Sequence, residues 1–117
     1  MAGKIAIYQV LPRLFGNTNE NCIPNSSFYV NGCGKFDHLR SDILIEIKSF
    51  GYTHIWLTGI IRHASQTAFP ELGIDAAPES IVKGEAGSPY SIIDYYDVSP
   101  DLAVSADKRI EEFENLV

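Results

Sequence analysis

Between Tyr90 and Asp97 the chain carries three tyrosines (Tyr90, Tyr95, Tyr96) and two aspartates (Asp94, Asp97). A tyrosine ring offers an apolar face with a polar tip, which suits the CH-rich face and hydroxyl rim of a sugar. Neighbouring carboxylates can accept bonds from those hydroxyls. The run therefore suggests carbohydrate contact. The plainer reading is that Tyr95 and Tyr96 cover strand ends while Asp94 and Asp97 cap turns; Tyr90 stands apart from it. Arg62, His63 and Gln66 lie upstream in the same region, and Gln9, Arg13 and the asparagines Asn17, Asn19, Asn21, Asn25 and Asn31 gather near the N-terminus.

Other chemistries find less support. Gly32-Cys33-Gly34 lacks the lysine and hydroxyl residue of a phosphate loop, no Gly-x-Gly-x-x-Gly follows a strand, and no Gly-x-Ser-x-Gly elbow exists. His38, His54 and His63 have no metal-ligand spacing, and Asp42 and Glu46, one helical turn apart, read as a solvated helix face. Cys22 and Cys33 lack the second pair that zinc needs and read as free thiols, with a disulfide as the alternative. The sequon at Asn25 reads as a chance match in the absence of an export signal.

Charge narrows the partners. With 9 Lys+Arg against 15 Asp+Glu, the net charge of −6 supplies no field to hold phosphate backbones or anionic lipid, so neither nucleic acid nor membrane is expected. No apolar run approaches the roughly 18 residues of a membrane span, and a cytoplasmic chain is the expectation.

The elements that must position these residues follow from periodicity. Lys4 to Val10 reads as a strand buried on both faces, with Ile5, Ile7 and Val10 in a nearly continuous apolar run. Residues 16–35 form a long loop rich in Asn and Gly. From Phe36, the spacing of Leu39, Ile43, Ile47 and Phe50 predicts an amphipathic helix that stops at about Phe50, with Lys48 in its last turn and Gly51 as a left-handed cap. Thr53 to Ile61 reads as a second buried strand, and residues 62–91 as a long loop without sustained period. Ser105 looks like the N-cap of a last helix with Ile110, Phe113 and Val117 on one face. Strand, helix, strand with a crossover helix predicts two parallel neighbours and an α/β class. Ligands then gather at the carboxyl ends of the strands, where both long loops begin.

Four blocks carry a resemblance. They are Ile7-Tyr8-Gln9-Val10-Leu11-Pro12-Arg13-Leu14-Phe15, Gly34-Lys35-Phe36, the stretch Ile47 to Ile60 containing Gly51-Tyr52-Thr53-His54-Ile55-Trp56-Leu57-Thr58-Gly59, and Gly87-Ser88-Pro89-Tyr90-Ser91-Ile92-Ile93-Asp94-Tyr95-Tyr96-Asp97-Val98. In this order, over essentially the whole chain, they resemble the N-terminal quarter to third of an α-amylase catalytic domain, glycoside hydrolase family 13.

The resemblance implies that residues 1–117 form the first two βα units of a TIM-type β/α barrel, cut within the second helix. It implies that Tyr90 stacks on sugar beside the cleaved bond and that Asp94 helps hold that loop; His63, on the loop that follows the second strand, is counted with them as a candidate substrate contact. The family's nucleophilic aspartate, acid/base glutamate and third aspartate follow later strands and have no counterpart here. The implied chemistry of the whole enzyme is retaining cleavage or transfer at α-glucosidic bonds of starch-derived glucans or maltooligosaccharides, with this chain inactive alone. Calcium is frequent in the family, and Asn17, Asn19 and Asn21 offer hard oxygen ligands without a carboxylate among them. Three departures stand out: Gly59 where proline is usual, Ser88-Pro89 before Tyr90, and Ser91 where glucose-end-specific members carry aspartate. The competing expectation is a noncatalytic α/β module binding carbohydrate or protein. In either case, unpaired apolar strand edges invite self-association.

Overall fold

The computed structural model describes residues 3–117. Its first strand, β1 (Ile7–Val10), lies beside β2 (His54–Leu57) in parallel, with Ile7 opposite His54 and Val10 opposite Leu57. Between them run a short α1 (Phe28–Asn31), a 3₁₀ turn at Phe36–His38 and α2 (Ser41–Ser49). The parallel strand–helix–strand unit expected from periodicity is present. The chain is a mixed α/β fold.

The predicted boundaries shift for identifiable reasons. The helix expected from Phe36 is two pieces, because Leu39 (φ −87°, ψ 63°) and Arg40 (φ −74°, ψ 165°) leave helical geometry. His38 Nδ1 accepts the Lys35 N–H at 3.1 Å and closes the first turn on itself, while Leu39 turns into the interior. The stop at Phe50 holds, with Gly51 at φ +95°. The strand expected over Thr53 to Ile61 is broken at Gly59 (φ +69°). Beyond it β3 (Ile61–His63) leaves the parallel pair and joins β4 (Ile92–Val98) as an antiparallel, irregular hairpin. Periodicity alone does not reveal β4, since its aspartates are poor strand formers.

The long loops expected at 16–35 and 62–91 are tied to each other. Glu85 N–H donates to Asn25 O at 2.9 Å, Gln66 N–H to Glu85 O at 2.9 Å, and the rings of Phe28 and Phe69 stack at 6.1 Å. The core is assembled from Cys33, Phe36, Ile60, Val98 and Leu102, with Phe28, Leu57, Phe113 and Leu116 packed against it. It lies between the hairpin and the last helix, α3 (Arg109–Leu116). Ser105 does not cap that helix with its side chain: the Glu112 carboxylate instead takes the N–H groups of Val104 and Ser105 at 2.8 and 2.9 Å.

The parallel pair touches this core only through its carboxyl end, where Leu57 packs against it and Val10 is buried. Ile7 and Trp56 are each 56% exposed, which corrects the expectation that both strands are buried on two faces. A radius of gyration of 15.4 Å exceeds the roughly 13 Å of a compact domain of this length. Among the described residues, no helix is long and apolar enough to cross a membrane.

Candidate functional site at the strand carboxyl ends

Chain geometry brings the Tyr90 loop to the ends of β1 and β2. Gly59, two residues past β2, has φ +69°, and a side chain there would sit 2.8 Å from Pro89 Cβ and 3.1 Å from Leu11 Cδ1. Proline, whose ring fixes φ near −65°, cannot adopt this conformation. Two of the departures noted in the sequence, Gly59 and Ser88-Pro89, are thus one contact: the glycine lets Pro89 seat on the strand ends. Gly87 (φ +71°) lies closer still, since a Cβ there would meet the Ala64 carbonyl oxygen at 2.0 Å. Tyr90 follows three residues later, 65% exposed as a residue, with its N–H donating to Ser88 Oγ at 3.3 Å.

The other two residues expected at the site are arranged differently. Asp94 is tied up: Oδ2 accepts from Arg62 Nη2 at 3.2 Å, and Oδ1 accepts the Tyr96 N–H at 2.9 Å. Both contacts lie within the β3–β4 pair, and neither reaches the loop that carries Tyr90. His63 is only 7% exposed and faces inward. Its Nε2 lies 2.7 Å from Arg13 Nη2 and its Nδ1 2.6 Å from Ser99 Oγ. Nε2 faces both the Arg13 guanidinium, which can only donate, and the Ala86 carbonyl at 3.0 Å, which can only accept; the shorter contact favours Nε2 as the acceptor, with the proton on Nδ1 directed at Ser99. The Ser99 hydroxyl passes its own proton to Ile61 O at 3.3 Å. Burial pushes the His63 pKa below its ordinary 6.5 and Arg13 acts the same way, whereas Asp101 and the Ala86 carbonyl oppose them. Ser99 is 1% exposed, so this serine–histidine contact is closed to any substrate.

Arg13 completes the arrangement. Its Nη1 donates to Gly87 O at 2.7 Å and its Nη2 to Ala86 O at 3.1 Å, and the Asp101 carboxylate lies 4.0 Å away. Asp101 also accepts the Cys33 thiol at 3.7 Å, while its backbone oxygen accepts from Lys35 Nζ. One guanidinium from the end of β1 therefore grips the loop that presents Tyr90. The sequence marked Arg13 as a polar group at a strand end, but Ser99 and Asp101 escaped notice. Their signal was their place directly after the β4 strand, beside Pro100.

A second ionic cluster stabilises the far side. Asp97 takes Arg109 Nε at 2.7 Å and Nη2 at 3.0 Å, with Arg62 Nε at 3.6 Å, joining β3, β4 and α3. Asp97 is thus structural. Tyr95 and Tyr96 do not cover strand ends; their rings point outward, Tyr96 being 98% exposed.

The asparagines considered as calcium ligands make a different set of bonds. Asn17 and Asn19 spend Oδ1 on the N–H groups of Asn19 and Asn21, and all three donate their amides to the carbonyls of Val30 or Asn31. They staple the first loop to α1. Among the described residues, no cluster of three His, Cys, Asp or Glu side chains is arranged to hold a metal ion. Cys22 and Cys33 are both free thiols.

No family model, curated protein or solved structure matches the chain.

Proposed function

We propose that this chain forms the opening βα units of an α-amylase-type barrel and presents Tyr90 as a stacking platform for starch-derived α-glucans or maltooligosaccharides. The observation that carries the reading is the pairing of β1 with β2 in parallel across α2, with the Tyr90 loop seated through Pro89 at both carboxyl ends. That is where β/α folds bind ligands. The exposed apolar faces of β1 and β2 support it further, because Ile7 and Trp56 suit strands that gain neighbours in a larger ring.

In this reading the chain binds and orients sugar, while cleavage requires two carboxyl groups about 5 Å apart on other strands. Asp94 and Asp97 do not fill that role, since arginines hold both. The same observation favours the second reading, a noncatalytic carbohydrate-binding module, for the chain acting by itself.

Titration with maltoheptaose tests the platform. Binding is expected to shift the amide signals around Tyr90, and Tyr90→Ala to weaken it about tenfold, in line with the ~1–3 kcal/mol that stacking on one aromatic ring contributes in other ligand sites. Absence of any shift up to about 20 mM, well beyond a millimolar Kd, would remove sugar from the reading. Assay of the chain alone for release of reducing ends is expected to find none.

A further inference from the structure

The residues around Tyr90 point to a device that neither the tyrosine nor the strands require. Two groups, Arg13 and His63, converge on the backbone just before it. Arg13 grips the carbonyls of Ala86 and Gly87, and His63 Nε2 accepts from the same guanidinium at 2.7 Å. His63 is held from behind by Ser99.

We propose that Arg13 is a positioning residue for the Tyr90 loop and that its grip requires a neutral His63. The proposal rests on the reading above only in taking the positioned ring to be a sugar platform; the latch itself is a claim about loop order.

The mechanism is a competition for one nitrogen. Neutral His63 accepts the Arg13 N–H. Once protonated, Nε2 becomes a donor facing another donor, and Arg13 must withdraw. The Ala86 carbonyl lies 3.0 Å from Nε2, so the new imidazolium N–H competes with Arg13 Nη2 for that acceptor and dislodges the guanidinium, leaving a single neutral acceptor in place of the two-residue grip before the loop opens. The arginine loses two of its contacts and keeps Gly87 O. No covalent step is involved, and the proton comes from solvent as the loop opens.

The surrounding charges decide how readily this happens. Arg13 disfavours the imidazolium directly, and Arg62, the residue before His63 in β3, adds a second nearby cation whose charge Asp94 and Asp97 offset. Asp101 favours the imidazolium, but it is shared among Arg13, the Cys33 thiol and, through its backbone oxygen, Lys35. With the loop open, His63 regains water and its ordinary affinity for a proton. Acid therefore draws the loop toward the open state by linkage.

The test measures hydrogen exchange of the 87–91 amides and maltoheptaose affinity on the same protein between pH 5 and 8. In the wild type, protection beyond the intrinsic pH effect is expected to fall as pH drops below about 6.5, with sugar affinity falling alongside. His63→Gln keeps an acceptor for Arg13 and cannot titrate, so both profiles should become flat while affinity at pH 8 stays within about twofold. Arg13→Ala should lose about tenfold in protection at pH 8, the equivalent of one charge-assisted hydrogen bond, and the difference from the wild type should shrink toward pH 5. If that variant does not fold, the His63→Gln profile decides alone. A wild-type profile identical to that of His63→Gln overturns the latch. If Tyr90→Ala leaves sugar binding unchanged while loop protection still follows pH, the platform reading fails and the latch stands.

Discussion

The two thiols of this chain differ in reactivity because their surroundings differ. Cys33 is buried beside the Asp101 carboxylate, and desolvation first, then that negative charge, pushes its pKa up to about 12. Cys22 lies exposed in the first loop. A maleimide or disulfide reagent at neutral pH is expected to label Cys22 alone, with Cys33 reacting only after denaturant is added; equal labelling of both in the native protein would contradict the core described here. Asp97 makes a second prediction at this scale. Its bidentate pair with Arg109 is largely removed from water, so Asp97→Asn leaves a guanidinium poorly paired. The cost should be about 2–3 kcal/mol in urea unfolding, somewhat below the 3–5 kcal/mol of a fully buried pair because both side chains retain some exposure.

At the scale of elements, a glycine between two sheets and a glycine in a loop control where Tyr90 stands. Gly59 is both the point where the chain leaves the parallel pair and the seat of Pro89, so the break in the second strand and the placement of the loop have one cause. Gly87→Ala places a methyl group in conflict with the Ala64 carbonyl oxygen at a left-handed position. It should lower stability by more than ~1 kcal/mol and displace the Tyr90 ring, which thermal melts and maltoheptaose binding read separately. A proline at position 59 should be worse, since no proline reaches φ +69°. A variant Gly59→Pro that melts like the wild type would show that the hairpin leaves β2 by another path.

For the molecule as a whole, the core and the parallel pair are unequal partners. Phe36 is fully buried and its ring meets Phe113 at 5.7 Å, whereas Ile7, Ile45, Phe50 and Trp56 face outward from β1, α2 and β2. Apolar strand surface left open seeks a neighbour. Light scattering on the 117-residue chain should therefore show mass rising with concentration, and a monomer at all concentrations would count against open edges of this kind. Global stability carries a pH signature too. His63 is held neutral in the fold, with its pKa below the ordinary 6.5, so the unfolded chain binds more protons than the native one in acid. Its contribution is complete above about pH 6.5 and declines as pH falls toward the lowered value. Denaturant midpoints in the wild type should drop over that interval more than in His63→Gln.

The local order of this protein was already written in its residues. Apolar runs marked β1 and β2, the spacing of Ile43 and Ile47 marked the inner face of α2, and Gly51 marked its end, whereas Phe50, expected on that same face, points outward. Such signals are short-range, arising from dihedral preferences and side-chain periodicity within a few turns of chain. The rest depended on contacts between distant segments. That His63 faces Arg13, 50 residues away, that Asp94 and Asp97 serve arginines, and that Ile92–Val98 pairs with Ile61–His63 are settled by burial and by the need of each buried charge and backbone group for a partner. No window along the chain contains those partners. A histidine that looks in sequence like one more polar group at a strand end becomes, once folded, the acceptor on which a distant arginine and its loop depend.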